Sequence, residues 1–161
     1  MLPFVVMTYK LSAAAHAISA AVLFFTSLSG TASAAGIKKD PKLDEAVISR
    51  YVADKLSVWQ ERMNLKDWDI RIQLVRADKL EPKTLGNVHW DTDVKKATID
   101  VLSPLDYQLP YNAMLADMEV TVVHELVHIE LASLPRSEAS RRTEEHAVNE
   151  ITAALLRLAR N

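Results

Sequence analysis

The sequence predicts an α+β fold, in which helices pack on one face of a small antiparallel three-stranded sheet. A helix pattern comes first, three short segments with strand patterns follow, and two further helix patterns complete the chain. Strands and helices that are segregated along the chain are typical of this fold class. The 161 residues are enough for one domain and leave no room for a second sizeable one.

The first helix is predicted to begin at Asp40-Pro41, because Asp is a favoured N-cap and Pro is favoured at the first helical position. Apolar residues then recur at spacings of three to five over about six turns, which indicates a helix with one buried face. These residues are Leu43, Val47, Tyr51 or Val52, Leu56, Trp59 and Met63.

Three segments have the patterns of short strands. Residues 68–75 alternate between apolar and polar side chains, and residues 86–91 and 96–102 predict two further strands. Asp91, Thr92 and Asp93 are typical hairpin-loop residues between the second and third strands. The tryptophans are expected in the core rather than in a specificity pocket, and they are Trp59, Trp68 and Trp90.

Two helices are predicted in the last third of the chain. One runs from about residue 112 to 134 and ends before Pro135, which cannot continue a helix. The polar residues 137–142 are either a connector or the first turn of the last helix, which runs to about residue 159. The predicted buried stripe of this last helix is Val148, Ile151, Leu155 and Leu158.

The amino-terminal segment has the features of a secretory signal peptide. Residues 11–28 are almost uncharged and apolar, Lys10 precedes them, and Ala32-Ser33-Ala34 provides a small-residue cleavage site. The alternative is a membrane anchor, because about 18 apolar residues can span a bilayer. We expect a signal peptide at residues 1–34 and a mature domain at 35–161, periplasmic or secreted and without stable membrane insertion after cleavage.

Composition excludes several classes of function. The 19 Lys and Arg residues against 21 Asp and Glu give a net charge of −2 without a long basic run, so we expect no nucleic-acid partner. The absence of Cys excludes disulfides, thiolate zinc sites, iron–sulfur clusters and cysteine nucleophiles. Any metal must therefore be held by carboxylates and by some of the five His residues.

The segment from His124 to His128 reads HELVH and matches the metal-binding pattern HExxH. Two His four residues apart on a helix point the same way, so both can reach one ion at about 2.0–2.1 Å. Glu125 flanks this face, where it can accept a proton from a metal-activated water molecule. The alternative is a core helix with two accidental histidines, which predicts no stoichiometric zinc.

The three-His extension of this motif is absent, because Leu131 and Leu134 occupy its Gly and His positions. Instead, Glu144-Glu145-His146 lies 16 to 18 residues after His128, at the start of the last helix. Here the sequence resembles the gluzincin metallopeptidases, in which a Glu on a following helix completes the site. The resemblance implies a zincin-like fold of the minimal type, a zinc cofactor and peptidase activity.

The third ligand is chosen by this resemblance. In the family pattern the ligand Glu is followed four residues later by an Asp or Asn, and this second residue supports a His ligand without binding the metal itself. Glu145 and Asn149 fit this pattern. Helix periodicity instead places Glu144 on the inward side, in line with Val148. The resemblance implies Glu145, while Glu144 and His146 remain alternatives, His146 also as a group that stabilises the oxyanion.

A second resemblance concerns the substrate. Asn87-Val88-His89-Trp90 is similar to the Asn-x-x-Trp edge strand of thermolysin-type enzymes, whose free edge pairs with the peptide. The alternative is a plain hairpin, on which His89 is a residue of the solvent face.

We therefore expect a monomeric, exported, zinc-dependent peptidase that acts on peptides or proteins. Its zinc would be held by His124, His128 and Glu145, with Glu125 as general base. The alternative is a non-catalytic zinc- or peptide-binding module of the same fold.

Overall fold

The computed structural model describes residues 7–8, 44–134 and 138–160. Within these residues the α+β class is confirmed, with three α-helices and one small sheet. In chain order the elements are β1 (Met7–Thr8), α1 (Glu45–Arg62), β2 (Asp69–Val75), β3 (Gly86–Asp91), β4 (Lys96–Leu102), α2 (Tyr111–Glu130) and α3 (Glu138–Ala159).

The predicted signal peptide lies mostly outside the described residues, as do its cleavage site and the predicted N-cap Asp40. Cleavage after Ala34 stays a prediction, and it would remove β1. Among the helices that the structure describes, none combines the length and the apolar character needed to cross a membrane.

The sheet is mixed rather than purely antiparallel. β3 and β4 form the predicted antiparallel hairpin, with Val88 opposite Ile99. β2 pairs with β4 in parallel, with Ile72 opposite Ile99, so the strand order is β1-β3-β4-β2. The antiparallel prediction was wrong for β2, because the ten residues between β2 and β3 carry the chain past the position that β4 takes.

Helix α1 begins one turn later than predicted. Its N-cap is Asp44, whose carboxylate accepts a hydrogen bond from the Ala46 amide at 3.0 Å. The buried face is also shifted by one residue at this end, since Ile48 is buried and Val47 is 55% exposed. The rest of the predicted stripe is confirmed by Val52, Leu56 and Trp59, which are all buried.

Helix α2 occupies the centre of the fold. It packs against α1 and α3 and against the face of β3 and β4 that carries Val88 and Ile99. Every residue from Thr121 to Ile129 is buried, so the HELVH segment lies in the core. The helix ends at Glu130, four residues before the predicted end.

Helix α3 covers the other side of α2, and its predicted stripe is confirmed for Val148 and Leu155, which packs against the core, but is wrong for Ile151 and Leu158. Val148, Thr152 and Leu156 are buried, whereas Ile151 is 39% and Leu158 74% exposed. The prediction assigned the larger apolar side chains to the buried face because of their hydropathy. The row of α3 that contacts α2 instead contains the smaller, polar Thr152. With this register, both Glu144 and Glu145 lie close to the histidines of α2.

Gly86, the first residue of β3, allows α2 to approach the sheet closely. A Cβ atom at this position would lie 2.5 Å from Cγ2 of Thr121 and 2.8 Å from the backbone oxygen of Asp100. Neither distance is tolerated by real side chains, so we expect Gly86→Ala to lower the free energy of unfolding by about 1–3 kcal/mol. Urea denaturation measures this effect.

Two further variants make the Gly86 experiment specific. Val94→Ala, in the exposed hairpin turn, is the control and should change stability by less than about 0.5 kcal/mol. Adding Thr121→Ser to Gly86→Ala removes one of the two clashing groups and should recover part of the loss. Equal stability of Gly86→Ala and the wild type would show that α2 can move away without cost.

Candidate metal centre

His124 and His128 lie on adjacent turns of α2, and both are 99% buried. Their Nε2 atoms are 3.1 Å apart, and the rings meet edge to face at 71°. Four residues on a helix advance one turn, so this convergence follows directly from the spacing of the motif.

Glu145 on α3 is the third member of the group. Its Oε1 atom lies 3.4 Å from Nε2 of His128, and its Oε2 atom lies 3.7 Å from Nε2 of His124. Among the described residues, this is the group of His, Asp and Glu side chains whose donor atoms converge, with one atom from each within 4.8 Å of the others. The sequence-predicted ligand set is therefore brought together by two different helices.

The spacing of these three donors fits a single small cation. Donors at about 2.0–2.1 Å from a tetrahedral ion are separated by about 3.3 Å. The two Nε2 atoms are 3.1 Å apart, and the nearest Glu145 oxygen to each lies at 3.4 Å (Oε1 to His128) and 3.7 Å (Oε2 to His124), which is close to that value. Two neutral imidazoles and one carboxylate are also donor types that suit zinc.

The protonation of His124 favours this role. Burial lowers the pKa of His124 to about 3, because a charged ring would be desolvated in the core. The ring is therefore neutral at physiological pH and retains a lone pair for a cation.

Glu144 lies behind His128 rather than beside the donor atoms. Its Oε1 atom is 3.3 Å from Nδ1 of His128, on the opposite side of the ring from Nε2. A carboxylate there accepts a hydrogen bond from the Nδ1–H group of His128, which keeps the proton on Nδ1 and leaves the lone pair on Nε2. The structure thus gives the two neighbouring glutamates different positions, although the sequence left them as alternatives.

Glu125 is fully buried between α2 and the start of β3. Its Oε1 atom would lie 3.3 Å from a Cβ placed on Gly86, and neither carboxylate oxygen accepts a hydrogen bond from a described residue. Burial raises the pKa of Glu125 well above its usual range, and the charges of Glu145 and Asp100 raise it further. A cation held by the neighbouring donors would oppose this shift, since it favours the ionised carboxylate.

Other candidate residues lie away from this group. His146 is exposed on α3. His89 lies on the sheet face opposite α2, with Nε2 3.9 Å from Oδ2 of Asp100. The tryptophan prediction is confirmed, because Trp59 is in the core and Trp68 and Trp90 pack against it.

The predicted peptide-binding strand is β3, and it begins directly beside Glu125 at Gly86. Its outer edge pairs with β1 through Met7 opposite Val88 and Thr8 opposite Asn87. Pairing of a substrate with this edge stays a prediction.

Sequence reasoning missed Gly86. The signal was present, because this is the sole glycine after residue 36 and a lone glycine in a strand indicates close approach of another element. The contact of Glu144 with Nδ1 of His128 was not predicted either, because the sequence suggests Glu144 only as an alternative metal ligand.

Comparison with known proteins gives no match to a family model, to a curated protein or to a solved structure.

Proposed function

We propose that this protein is a zinc-dependent peptidase whose metal ligands are His124, His128 and Glu145. The observation that carries the proposal is the convergence of two His nitrogens and one carboxylate, from two helices, with Glu125 adjacent to the first ligand. A set of three protein ligands leaves a fourth tetrahedral position for water or substrate, which is typical of catalytic rather than structural zinc sites.

Zinc in such a set supplies Lewis acidity, which polarises a carbonyl oxygen and lowers the pKa of water. The residues of the chain itself would hold the zinc and transfer the proton of the water molecule. Glu125 would take the proton of the attacking water molecule and deliver it to the leaving amine. Gly86 leaves the space that the carboxyl of Glu125 occupies beside the first ligand.

The first test is the zinc content of the purified chain. We expect one zinc per chain by elemental analysis, and we expect His128→Ala to lose it, because removing one of three ligands disrupts the site. His146→Ala is the matched control, since His146 is an exposed histidine eighteen residues further along and should not affect zinc. The same preparation should hydrolyse denatured protein substrates and lose this activity when zinc is removed by a chelator.

Two outcomes would contradict the proposal. Full zinc occupancy in His128→Ala would exclude the ligand set. A stoichiometric zinc without hydrolysis of any denatured protein would instead favour a non-catalytic zinc-binding module.

A further inference from the structure

The outer edge of β3 is occupied by β1, a segment of the predicted signal peptide. Met7 lies opposite Val88 and Thr8 lies opposite Asn87, in antiparallel pairing. The other edge of β3 pairs with β4, so β1 is the element that covers the outer edge of this strand. An uncovered strand edge is a template on which an extended peptide can form backbone hydrogen bonds.

The direction of the backbone groups along β3 shows which residues face this edge. The amide of Leu102 donates a hydrogen bond to the backbone oxygen of Leu85 at 2.8 Å. In an antiparallel ladder, every second residue directs its N–H and C=O groups at the same neighbour. The backbone groups of Asn87 therefore face β4, like those of Leu85, and the backbone groups of Gly86 and Val88 point to the outer edge.

β1 uses the outer edge of β3 through Met7. Because Met7 lies opposite Val88, its backbone N–H and C=O groups point at β3 and pair with those of Val88. Thr8 is the next residue, so its N–H group points away from β3. From Met7 to Thr8 the chain runs in the direction of Gly86, which is the end of β3 that borders Glu125.

The edge that β1 occupies is the one beside the metal centre. Oε1 of Glu125 would lie 3.3 Å from a Cβ placed on Gly86, and the backbone groups of Gly86 point to this edge. Neighbouring strands lie about 4.8 Å apart, so a peptide paired with β3 would run one strand spacing from Gly86. A peptide paired with the far side of β1 would lie about 4.8 Å further away. β1 and such a peptide therefore compete for the same backbone groups.

The pairing of β1 depends on its covalent connection to the domain. A pair such as Met7 and Val88 exchanges two backbone hydrogen bonds, which contribute little net stability in water. A strand of this length stays in place because the rest of the chain raises its effective concentration far above that of a separate peptide. The predicted cleavage after Ala34 lies between β1 and α1 and would remove this connection.

We propose that β1 is an autoinhibitory strand, which covers the peptide-binding edge of β3 until the amino-terminal segment is removed. The identification of this edge as the binding edge for a substrate rests on the proposed function, whereas its occupation by β1 rests on the strand pairing alone. Cleavage of residues 1–34 then opens the edge, so that export and activation are the same event.

The test compares three full-length chains in which residues 1–34 are retained, as verified by mass spectrometry. They are the wild type, Met7→Pro and Thr8→Pro. Met7→Pro removes the N–H group that pairs with Val88. Thr8→Pro is the matched control, because the N–H group that it removes points away from β3 and because a residue before Pro favours the extended backbone of a strand.

The release of β1 and the binding of a peptide chain are measured separately. Hydrogen exchange of the Val88 amide, followed by NMR, should be at least about 10-fold faster in Met7→Pro, because this group points at β1. Fluorescence anisotropy of labelled, denatured casein measures binding to the chain after its metal has been removed, so that no hydrolysis contributes. We expect the Kd to be about 3- to 10-fold lower in Met7→Pro, because the competing strand has left the edge.

The zinc-loaded chains provide a third measurement. Because β1 competes with the substrate and does not touch the metal ligands, the KM for denatured casein should be lower in Met7→Pro by the same factor as the Kd, with kcat unchanged. Thr8→Pro should match the wild type in all three measurements.

Faster exchange at Val88 with unchanged casein affinity would overturn the proposal, because β1 would then leave the edge without any effect on binding. Unchanged exchange in Met7→Pro, or equal changes in both proline variants, would overturn it as well. Tighter casein binding by Met7→Pro, combined with a zinc-loaded form that cleaves nothing, would keep the autoinhibition and refute the peptidase. Zinc-dependent cleavage with unchanged Kd and KM would refute the autoinhibition alone. Neither binding nor cleavage by any of the three chains would refute both.

Discussion

Glu125→Gln is expected to retain one zinc per chain and to lose hydrolysis by about 10²–10⁴-fold. Gln has nearly the same shape as Glu and fits the same space beside Gly86, but it cannot accept a proton. Glu125 is not one of the three converging donors, so the metal ligands are left intact. The two measurements are zinc content by elemental analysis and turnover of a denatured protein at saturating substrate.

Glu130→Gln is the matched control for this variant. It makes the same chemical change on the same helix, at an exposed position at the end of α2, and should leave zinc content and turnover unchanged. Loss of zinc from Glu125→Gln would show that Glu125 supports the ligands rather than the reaction. Undiminished turnover with zinc in place would exclude it as the general base.

The local parts of the fold could be predicted from the sequence. β3 and β4 have the predicted bounds, and α2 and α3 are the predicted helices with shifted ends. These elements are specified by nearby residues: the Asp-rich turn for the hairpin, and apolar periodicity for the helices. The HExxH spacing alone likewise predicts that the two Nε2 atoms lie close together, because this depends on helix geometry and not on the rest of the fold.

The parallel pairing of β2 with β4 could not be predicted in the same way. The alternation in residues 69–75 specifies which side chains face the core, and Ile70, Ile72 and Leu74 do face it. The same alternation fits a parallel or an antiparallel neighbour equally well. The choice depends on how the β2–β3 connection crosses the sheet, which is a long-range property of the chain.

Helix periodicity alone could not predict that Glu145 is the third donor. The predicted stripe contained Ile151, but the buried row is Val148, Thr152 and Leu156. The stripe also placed Glu144 inward, and its side chain is indeed 12% exposed against 27% for Glu145, but it reaches Nδ1 of His128 rather than the two Nε2 atoms. One residue corresponds to a rotation of about 100° around the helix, which carries Glu145 to the histidines and Glu144 behind His128. The choice of Glu145 came from the family resemblance, and the donor geometry agrees with that choice over the periodicity.

The two glutamates should therefore differ in what they do to zinc. Glu145→Ala removes a carboxylate that lies within 3.7 Å of both Nε2 atoms, so we expect the purified variant to contain no stoichiometric zinc. Glu144→Ala removes the acceptor at Nδ1 of His128, 3.3 Å away, and leaves all three donors in place. Loss of such a supporting carboxylate weakens metal binding by about 10- to 100-fold, so zinc should still bind stoichiometrically when it is added in excess.

Competition with a chromophoric zinc chelator measures both affinities on one scale. Glu150→Ala, an exposed glutamate on the same helix, is the control and should match the wild type. A larger loss of affinity in Glu144→Ala than in Glu145→Ala would reverse the two roles, and the helix would have to rotate by one residue to bring Glu144 to both Nε2 atoms. Wild-type affinity in both variants would leave His124 and His128 without a carboxylate ligand from α3. Because His146 is exposed, that result would also require a third ligand from outside this group and would remove the basis for the peptidase proposal.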